Sequence, residues 1–352
     1  MRSKAEREET AMWYEEKGLA QEVVLSTKVM LSRNIKGYNF TNKMSDEERS
    51  AVLGEISKII EDINPGMKLF TGDQMSADDK SNLIRSQIIY SRSFLANPEN
   101  KAVFTTDDGS VNVIVNDKEH LVVKAMAPGL SNDVYKTAES FVTKLESGLD
   151  IAFSEKYGFL NSSIGMTGLG MRLLYTVCIP GMQKTEGLVR AFMSRVDRYG
   201  WKMYPFFENG DYDMSCVYII GSVANLGISE KEIFMRGNSL INDLIQVESD
   251  CRTNFARKDR DQIEDRFYRS YGTLRYVRKI DAREAMALSS WLRFYSDVKD
   301  TRETPIDWTD LNTITQEVCW DEYPYKPGDL PHMKPAQRAE RIRNILKGDG
   351  EA

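Results

Sequence analysis

The sequence is poor in the side chains that most often ligate metals. Its 352 residues include two histidines, His120 and His332, and four cysteines, Cys178, Cys216, Cys251 and Cys319, with no Cys-x-x-Cys pair. A structural zinc site needs four clustered ligands, so this sparse set argues against one. Four scattered cysteines in so long a chain also argue against a disulfide framework. The longest apolar run, Leu173 to Met182, falls well short of the roughly 20 residues of a membrane-spanning helix. The charged start, Met-Arg-Ser-Lys-Ala-Glu-Arg-Glu-Glu, has no apolar signal core, and the expectation is a cytoplasmic protein with no membrane partner. Excess positive charge is missing as well: 47 Lys and Arg face 53 Asp and Glu, for a net charge of -6. A protein built mainly to hold nucleic acid needs the opposite balance. Internal repeats and low-complexity tracts are absent too.

What is present is an ordinary globular composition, 41% hydrophobic and 28% charged. The length suggests two domains. Residues 1–19 read as a charged, partly helical lead-in, and Val23–Leu25 opens a strand. A helix is expected over 46–62, capped by Ser45 or Asp46, with Val52, Ile56, Ile59 and Ile60 on one face. Another is expected over 80–94. Ala102–Thr106 and Val111–Val115 form a hairpin around Asp107-Asp108-Gly109. A second turn, Asn116–Glu119, leads to a strand over Leu121–Met126, broken by Pro128-Gly129. Ser131 then caps a helix striped by Val134, Ala138, Phe141, Leu145 and Leu149. Further strands are expected at Tyr175–Ile179, Trp201–Phe207 and Met214–Ile220, the last two around Asn209-Gly210-Asp211. Helices are expected over 185–198 and 229–256. Hairpin-linked strands followed by helices predict an α+β fold, an antiparallel sheet with helices packed on one face. Past the charged joint 257–261 only helical patterns occur, near 261–270, 281–298, 307–319 and 335–347. The expected division is 1–256 and 257–352, the second part a small all-helical domain.

Two segments carry candidate chemistry. In Ser162–Arg172, three glycines, Gly165, Gly168 and Gly170, lie between a helix and a strand. Such a loop either brings backbone N–H groups to phosphates or is a plain turn. It is neither a Walker nor a Rossmann loop. Arg172 after it suits an anion or a structural carboxylate equally. The turn Asn116–His120 sets acid, base and imidazole together, which suits proton transfer or a solvated hairpin tip. Arg338, Arg341, Arg343 and Lys347 read as one solvated helix face.

Taken in order, these segments resemble the bacterial protein-arginine kinases of the McsB type, within the ATP:guanido phosphotransferase family. Val23-Val24-Leu25-Ser26-Thr27-Lys28-Val29-Met30-Leu31-Ser32-Arg33-Asn34 is similar to the family's V-V-x-S-S-R-I-R-L-A-R-N. Val115–Val122 is similar to V-N-E-E-D-H-L-R, and Tyr157–Arg172 to G-Y-L-T-x-C-P-T-N-x-G-T-G-x-R. Ile263–Leu274 resembles L-E-D-R-x-Y-R-S-Y-G-x-L over an ungapped run that favours the protein-arginine branch.

The resemblance implies a guanido-kinase catalytic fold. It also implies MgATP as phosphoryl donor if the chain is active, and no resident metal site. Matched ATP-binding positions are Ser26, Lys28, His120, Gly168, Gly170 and Arg172. Matched or adjacent catalytic positions are Asp117, Glu119, Glu208 and Ser163. The family clamps the triphosphate with five arginines, and here those positions read Lys28, Met30, Val122, Arg172 and Tyr204. Charge-assisted hydrogen bonds contribute roughly 1.5–3 kcal/mol each, so losing three implies about a thousandfold lower activity or worse. Lys118 stands where a glutamate holds the substrate guanidinium, and that is repulsive. Asn209 replaces another carboxylate, with Glu208 beside it; Ser163 replaces the loop cysteine; Gln87 replaces a histidine. Lys334–Ala339 lacks the Arg-Asp pair of the family's phosphoarginine-binding segment. The expectation is a pseudokinase serving as a binding or regulatory subunit in a Clp-type quality-control or stress system. Its implied partners are an active kinase paralogue, a zinc-binding activator protein or a Clp unfoldase, in a homo- or hetero-dimer. The alternative is an active protein-arginine kinase.

Overall fold

The computed structural model describes residues 11–89, 92–207, 216–298, 306–318 and 333–347. Strand β1 (Val24–Arg33) is followed by helix α1 (Asp46–Ile63), β2 (Lys68–Thr71), α2 (Ala77–Arg85) and α3 (Arg92–Ala96). Next come β3 (Ala102–Thr105), β4 (Val111–Val115), β5 (Leu121–Pro128) and α4 (Val134–Glu146). A short hairpin, β6 (Phe153–Ser154) and β7 (Gly158–Phe159), precedes β8 (Met171–Cys178). The sequence continues through α5 (Pro180–Gln183), α6 (Leu188–Arg198), β9 (Trp201–Pro205), β10 (Val217–Ser222) and α7 (Glu230–Lys258). Beyond it the described residues are helical: α8 (Arg260–Tyr276), α9 (Ala282–Val298), α10 (Trp308–Thr313), a π-helical turn (Ile314–Val318) and α11 (Pro335–Leu346).

Eight strands form one sheet in the order β2-β3-β4-β5-β1-β8-β10-β9, every pair antiparallel. This is the expected α+β fold. Period-2 alternation sorts each strand onto two faces. Val29, Leu31, Val113, Val123, Leu173 and Tyr175 face α1, α4, α6 and α7 and make the main core. The other face is covered at its two ends. Met30, Ile114, Val122 and Met126 pack with Trp13, Leu83, Ile88 and Phe94 at one end. Leu25, Cys178, Val217 and Ile219 pack with Ile263, Phe267, Phe294 and Ile342 of the helical segment at the other. Helices therefore cover both faces, not one.

Several sequence expectations shift. Ser45 caps α1 through a capping box with Glu48. The helix expected over 80–94 is two helices, because the chain reverses at Gln87 (φ +60°) and sends Ile88 and Ile89 into the core. Ser131 does not cap α4; its N–H donates to Thr27 Oγ1, and Asp133 holds the N-cap position without a side-chain bond. Val142, not Phe141, completes the fully buried stripe of α4. The described part of the lead-in, from residue 11, is turns and not helix. Arg338 lies on no solvated face: it is fully buried, donating to Val318 O at 3.0 Å and Ile280 O at 3.3 Å. The turn Asn209-Gly210-Asp211 lies outside the described residues.

One buried ion pair joins these layers. Glu248 Oε1 accepts from Arg252 Nε at 2.7 Å, one turn along α7, and the carboxylate also takes the N–H groups of Gly181 and Met182. Burial pushes the Glu248 carboxyl up, and Arg252 opposes that shift. Removing one partner of such a pair strands the other charge in the interior. Glu248→Ala is expected to lower unfolding free energy by about 3–5 kcal/mol in chemical denaturation.

Candidate functional site

The middle of the second sheet face, between its two apolar clusters, is left open as a cleft of about 1010 Å³. Its floor is β5, β1 and β8. Alternation turns Val122 and Lys124 of β5, Lys28, Met30 and Ser32 of β1, and Arg172, Leu174 and Thr176 of β8 into it. The antiparallel register sets Met30 opposite Lys124 on one side and opposite Arg172 on the other. Lys28 lies one step along, opposite Met126 and Leu174. All five positions matched to the family's clamp arginines, Lys28, Met30, Val122, Arg172 and Tyr204, line this one cleft. Arg49, Lys101 and Lys118 add positive charge to its walls; Asp46, Glu99, Asp117 and Glu119 add negative charge.

The floor is electrostatically unusual. Lys28 and Lys124 are 5% and 3% exposed, far below what is ordinary for lysine. Burial, then the neighbouring Lys124 cation, holds the Lys28 ammonium well below its usual value. Burial lowers Lys124 to about 7. Lys124 Nζ donates to the Gln87 carbonyl, and Gln87 Nε2 donates to Gln316 Oε1 in the π-helical turn, so the helical segment reaches the edge of the cleft. Among the described residues Arg172 pairs with no carboxylate: its Nη1 donates to Ser222 O at 3.0 Å and its Nε to Met166 Sδ at 3.2 Å.

Other expected site residues are placed differently. His120 is fully buried and does not line the cleft. Its Nδ1 accepts the Ile35 N–H at 3.0 Å, so Nε2 carries the proton and donates to Asn39 O at 2.7 Å. Burial lowers its pKa, and the neutral ring fastens the turn instead of touching a phosphate. Ser26 is fully buried and does not line the cleft; its Oγ donates to Thr176 Oγ1 at 3.2 Å. Glu119 reaches the cleft wall, yet both oxygens are engaged: Oε2 accepts from Asn34 Nδ2 and Ser162 N, and Oε1 from Ser162 Oγ. It ties the Gly-rich loop to β1. Asp117 Oδ1 accepts from Ser93 Oγ at 2.7 Å, and the Lys101 cation lies within its field. Ser163 sits exposed on the rim. Glu208 lies outside the described residues.

The Gly-rich loop is not an open phosphate cradle. The N–H groups of Met166, Thr167, Gly168 and Leu169 donate to Ser163, Ile164, Phe159 and Asn225 carbonyls, and Met171 N–H to Asn225 Oδ1. Gly168 (φ +117°) presses on the Asn225 carbonyl and Gly170 (φ +62°) on the Ser32 carbonyl, where a Cβ would stand 2.1 and 2.6 Å from oxygen. These glycines permit close backbone packing, the plain-turn alternative.

Lys124 was not singled out by motif matching. The signal available was period 2: it shares a strand face with Val122, two residues away. Arg49 and Lys101 reach the cleft, and Gln316 bonds Gln87 at its edge, through tertiary contacts that no local spacing announces.

Comparison with known proteins agrees with the geometry. A family model described as ATP:guanido phosphotransferase, C-terminal catalytic domain, matches residues 46–251. A model of the protein-arginine kinase McsB C-terminal domain matches 260–350. The chain is 25% identical over 349 residues to the protein-arginine kinase of Moorella thermoacetica, covering 97% of this chain and 99% of that one. It is 27% identical over 300 residues to that of Pelotomaculum thermopropionicum, 84% of each chain. Among solved structures, a duplicated taurocyamine kinase from Schistosoma mansoni aligns with TM-score 0.58 at 19% identity, over 64% of this chain and 33% of that one. A lombricine kinase aligns with TM-score 0.56 at 17% identity, over 66% and 68%. At these identities the two structures speak to the fold alone.

The buried lysines set a pH dependence. The native state sheds the Lys124 proton near pH 7, whereas the unfolded chain keeps it to about 10.4. Across that window the unfolded state binds more protons, so the stability cost of burying Lys124 falls as pH rises. Lys124→Met is expected to raise Tm by several degrees at or below pH 7, with the gain shrinking toward pH 10, as read by calorimetry at a series of pH values.

Proposed function

The chain belongs to the ATP:guanido phosphotransferase family, in its protein-arginine kinase branch, and from that premise we propose that it is a regulatory or binding member with impaired phosphoryl transfer. The observation that carries this reading is the state of the cleft floor. Three of the five positions matched to clamp arginines are Met30, Val122 and Tyr204, which bring no cation to a triphosphate. Phosphoryl transfer in such a site is positioning and charge stabilisation, so the loss falls on the chemistry itself. The donor set present fits a single phosphoryl group better than a triphosphate held at three points. The guanidinium side points the same way. Lys118 replaces a carboxylate, Lys101 offsets Asp117, and Glu119 is committed to Asn34 and Ser162.

As a family member of this kind, the chain would act through association. Its proposed partners are an active kinase paralogue, a zinc-binding activator or a Clp unfoldase, in a homo- or hetero-dimer. The proposed units are 1–256, of catalytic type, and 257–352, helical. One observation favours the second reading, an active protein-arginine kinase: Lys28, Lys124 and Arg172 keep three basic side chains on the floor. In that case MgATP is the donor and Arg172 is required.

The two readings separate on incubation of the purified chain with MgATP and an arginine-rich acceptor protein, followed by mass spectrometry for phosphoarginine. The expected turnover is at least about a thousandfold below that of a relative with five clamp arginines. Robust phosphoarginine that disappears in Arg172→Ala would overturn the regulatory reading.

A further inference from the structure

We propose that Met166 is an oxidation site: a hydroperoxide converts its thioether to the sulfoxide, and the new oxygen captures the Arg172 guanidinium and withdraws it from the cleft floor. This goes beyond the preceding reading and does not depend on whether the chain transfers phosphoryl groups.

Met166 ends a short 3-10 turn, Ile164–Met166, in the Gly-rich loop, and Arg172 is the second residue of β8. Arg172 Nε donates to Met166 Sδ at 3.2 Å. Both side chains line the cleft, and both residues are half-buried. The backbone on each side of the contact is held. Met166 N–H donates to the Ser163 carbonyl at 2.9 Å, and Met166 O accepts from Asn161 Nδ2 at 3.0 Å. Arg172 lies in a strand paired with β1, and its Nη1 is tied to Ser222 O. The sulfur–guanidinium contact is therefore part of the resting fold and needs no loop movement to form.

A thioether is a weak hydrogen-bond acceptor, so its present hold on the guanidinium is slight. Its sulfur keeps a second lone pair for an oxidant entering from the cleft. In the oxidation that lone pair attacks the terminal oxygen of the hydroperoxide. The S–O bond forms and the O–O bond breaks. The departing oxygen takes the transferred oxygen's proton and leaves as water or an alcohol. Sulfur gives up two electrons and the peroxide gains them. The product is polar and carries an oxygen acceptor where only sulfur stood. An N–H···O bond from a guanidinium is charge-assisted and therefore among the stronger kinds. Three rotatable bonds in the methionine side chain let that oxygen turn to Arg172 while the loop stays in place.

Exposure and partner together single out Met166. Met30 and Met44 line the same cleft but are only 7% and 8% exposed, each packed in an apolar cluster. Met235 on α7 is 63% exposed but does not line the cleft, so its oxidation reports only on surface access. Met166 alone of these combines an open path to solvent with a bonded cation at the site. Arg172 is the one arginine on the sheet floor, and its capture removes the planar fork that lysines there do not replace. Methionine sulfoxide reductases, one for each sulfoxide epimer, restore the thioether, which makes the change reversible.

The test treats the full-length chain with graded hydrogen peroxide and maps each methionine by peptide mass spectrometry. Arg172 is probed in parallel with phenylglyoxal, an arginine-selective reagent. Met166 is expected to reach its sulfoxide at a lower peroxide dose than Met30 and Met44. Arg172 labelling is expected to fall about tenfold as it does so, the population shift of one hydrogen bond to a charged group. Sulfoxide reductases for both epimers, with a dithiol that supplies two electrons and releases the oxygen as water, are expected to restore the labelling. Met166→Leu keeps the side-chain volume, and it is expected to make Arg172 labelling insensitive to peroxide, with thermal melts verifying its fold. Oxidation of Met30 and Met44 ahead of Met166 in the parent chain overturns the proposal. So does Met166 sulfoxide with Arg172 labelling unchanged or increased, or a peroxide-dependent fall that persists in Met166→Leu.

Discussion

Strand β1 sits at the centre of the sheet, hydrogen-bonded along both edges, with all ten of its residues buried. A strand in that position has no solvent face to spend, so each side chain must belong either to the core or to a site. Val29 and Leu31 go to the core; Lys28, Met30 and Ser32 go to the cleft. A slip of one residue would exchange the two sets, burying a lysine among α1, α4 and α7. The apolar core therefore fixes the site's geometry, and the cleft inherits its row of residues from pairing that is decided on the other face.

The cleft exists because the second sheet face is covered only at its ends. The lead-in with α2 and α3 closes one end, and the helical segment closes the other. Buried arginines bind helices on both faces to the chain segments beside the sheet. Arg252 reaches the Glu22 and Cys178 carbonyls from α7, and Arg293 reaches the Gln21 carbonyl and Asn312 from α9. A guanidinium is suited to this, since it offers several donors at fixed angles and satisfies carbonyls that no strand partner reaches. The same logic runs to the site through Lys124, Gln87 and Gln316, which link its floor to the π-helical turn.

The changed residues of the cleft are of two physical kinds. Met30 and Val122 join the apolar cluster below them and cost the fold nothing. Lys28 and Lys124 are ionisable groups in a desolvated place, where the charged form is disfavoured and their burial is costly for stability. A surface that only needed to be stable would not hold both kinds side by side. Met30 and Val122 thus share the cleft floor with two buried lysines.

Much of the fold was legible in the sequence because it rests on local rules. Alternation marked the strands, the Asp107–Gly109 turn marked a hairpin, and Ser45 with Glu48 marked a helix start. The long match at Ile263–Leu274 carried the family, and the five positions aligned to motif arginines line one cleft. What the sequence could not decide was how each polar side chain is spent. His120, Glu119 and the Gly-rich loop look like chemistry in one dimension, yet each is consumed by bonds to residues far away in the chain: Ile35 and Asn39, Asn34 and Ser162, Phe159 and Asn225. Lys124 looks like an ordinary strand lysine until the register sets it opposite Met30, in one row with Arg172. Residue type and period determine which face a side chain occupies. Partner, burial and charge neighbourhood are set by long-range pairing, and only the tertiary structure contains that.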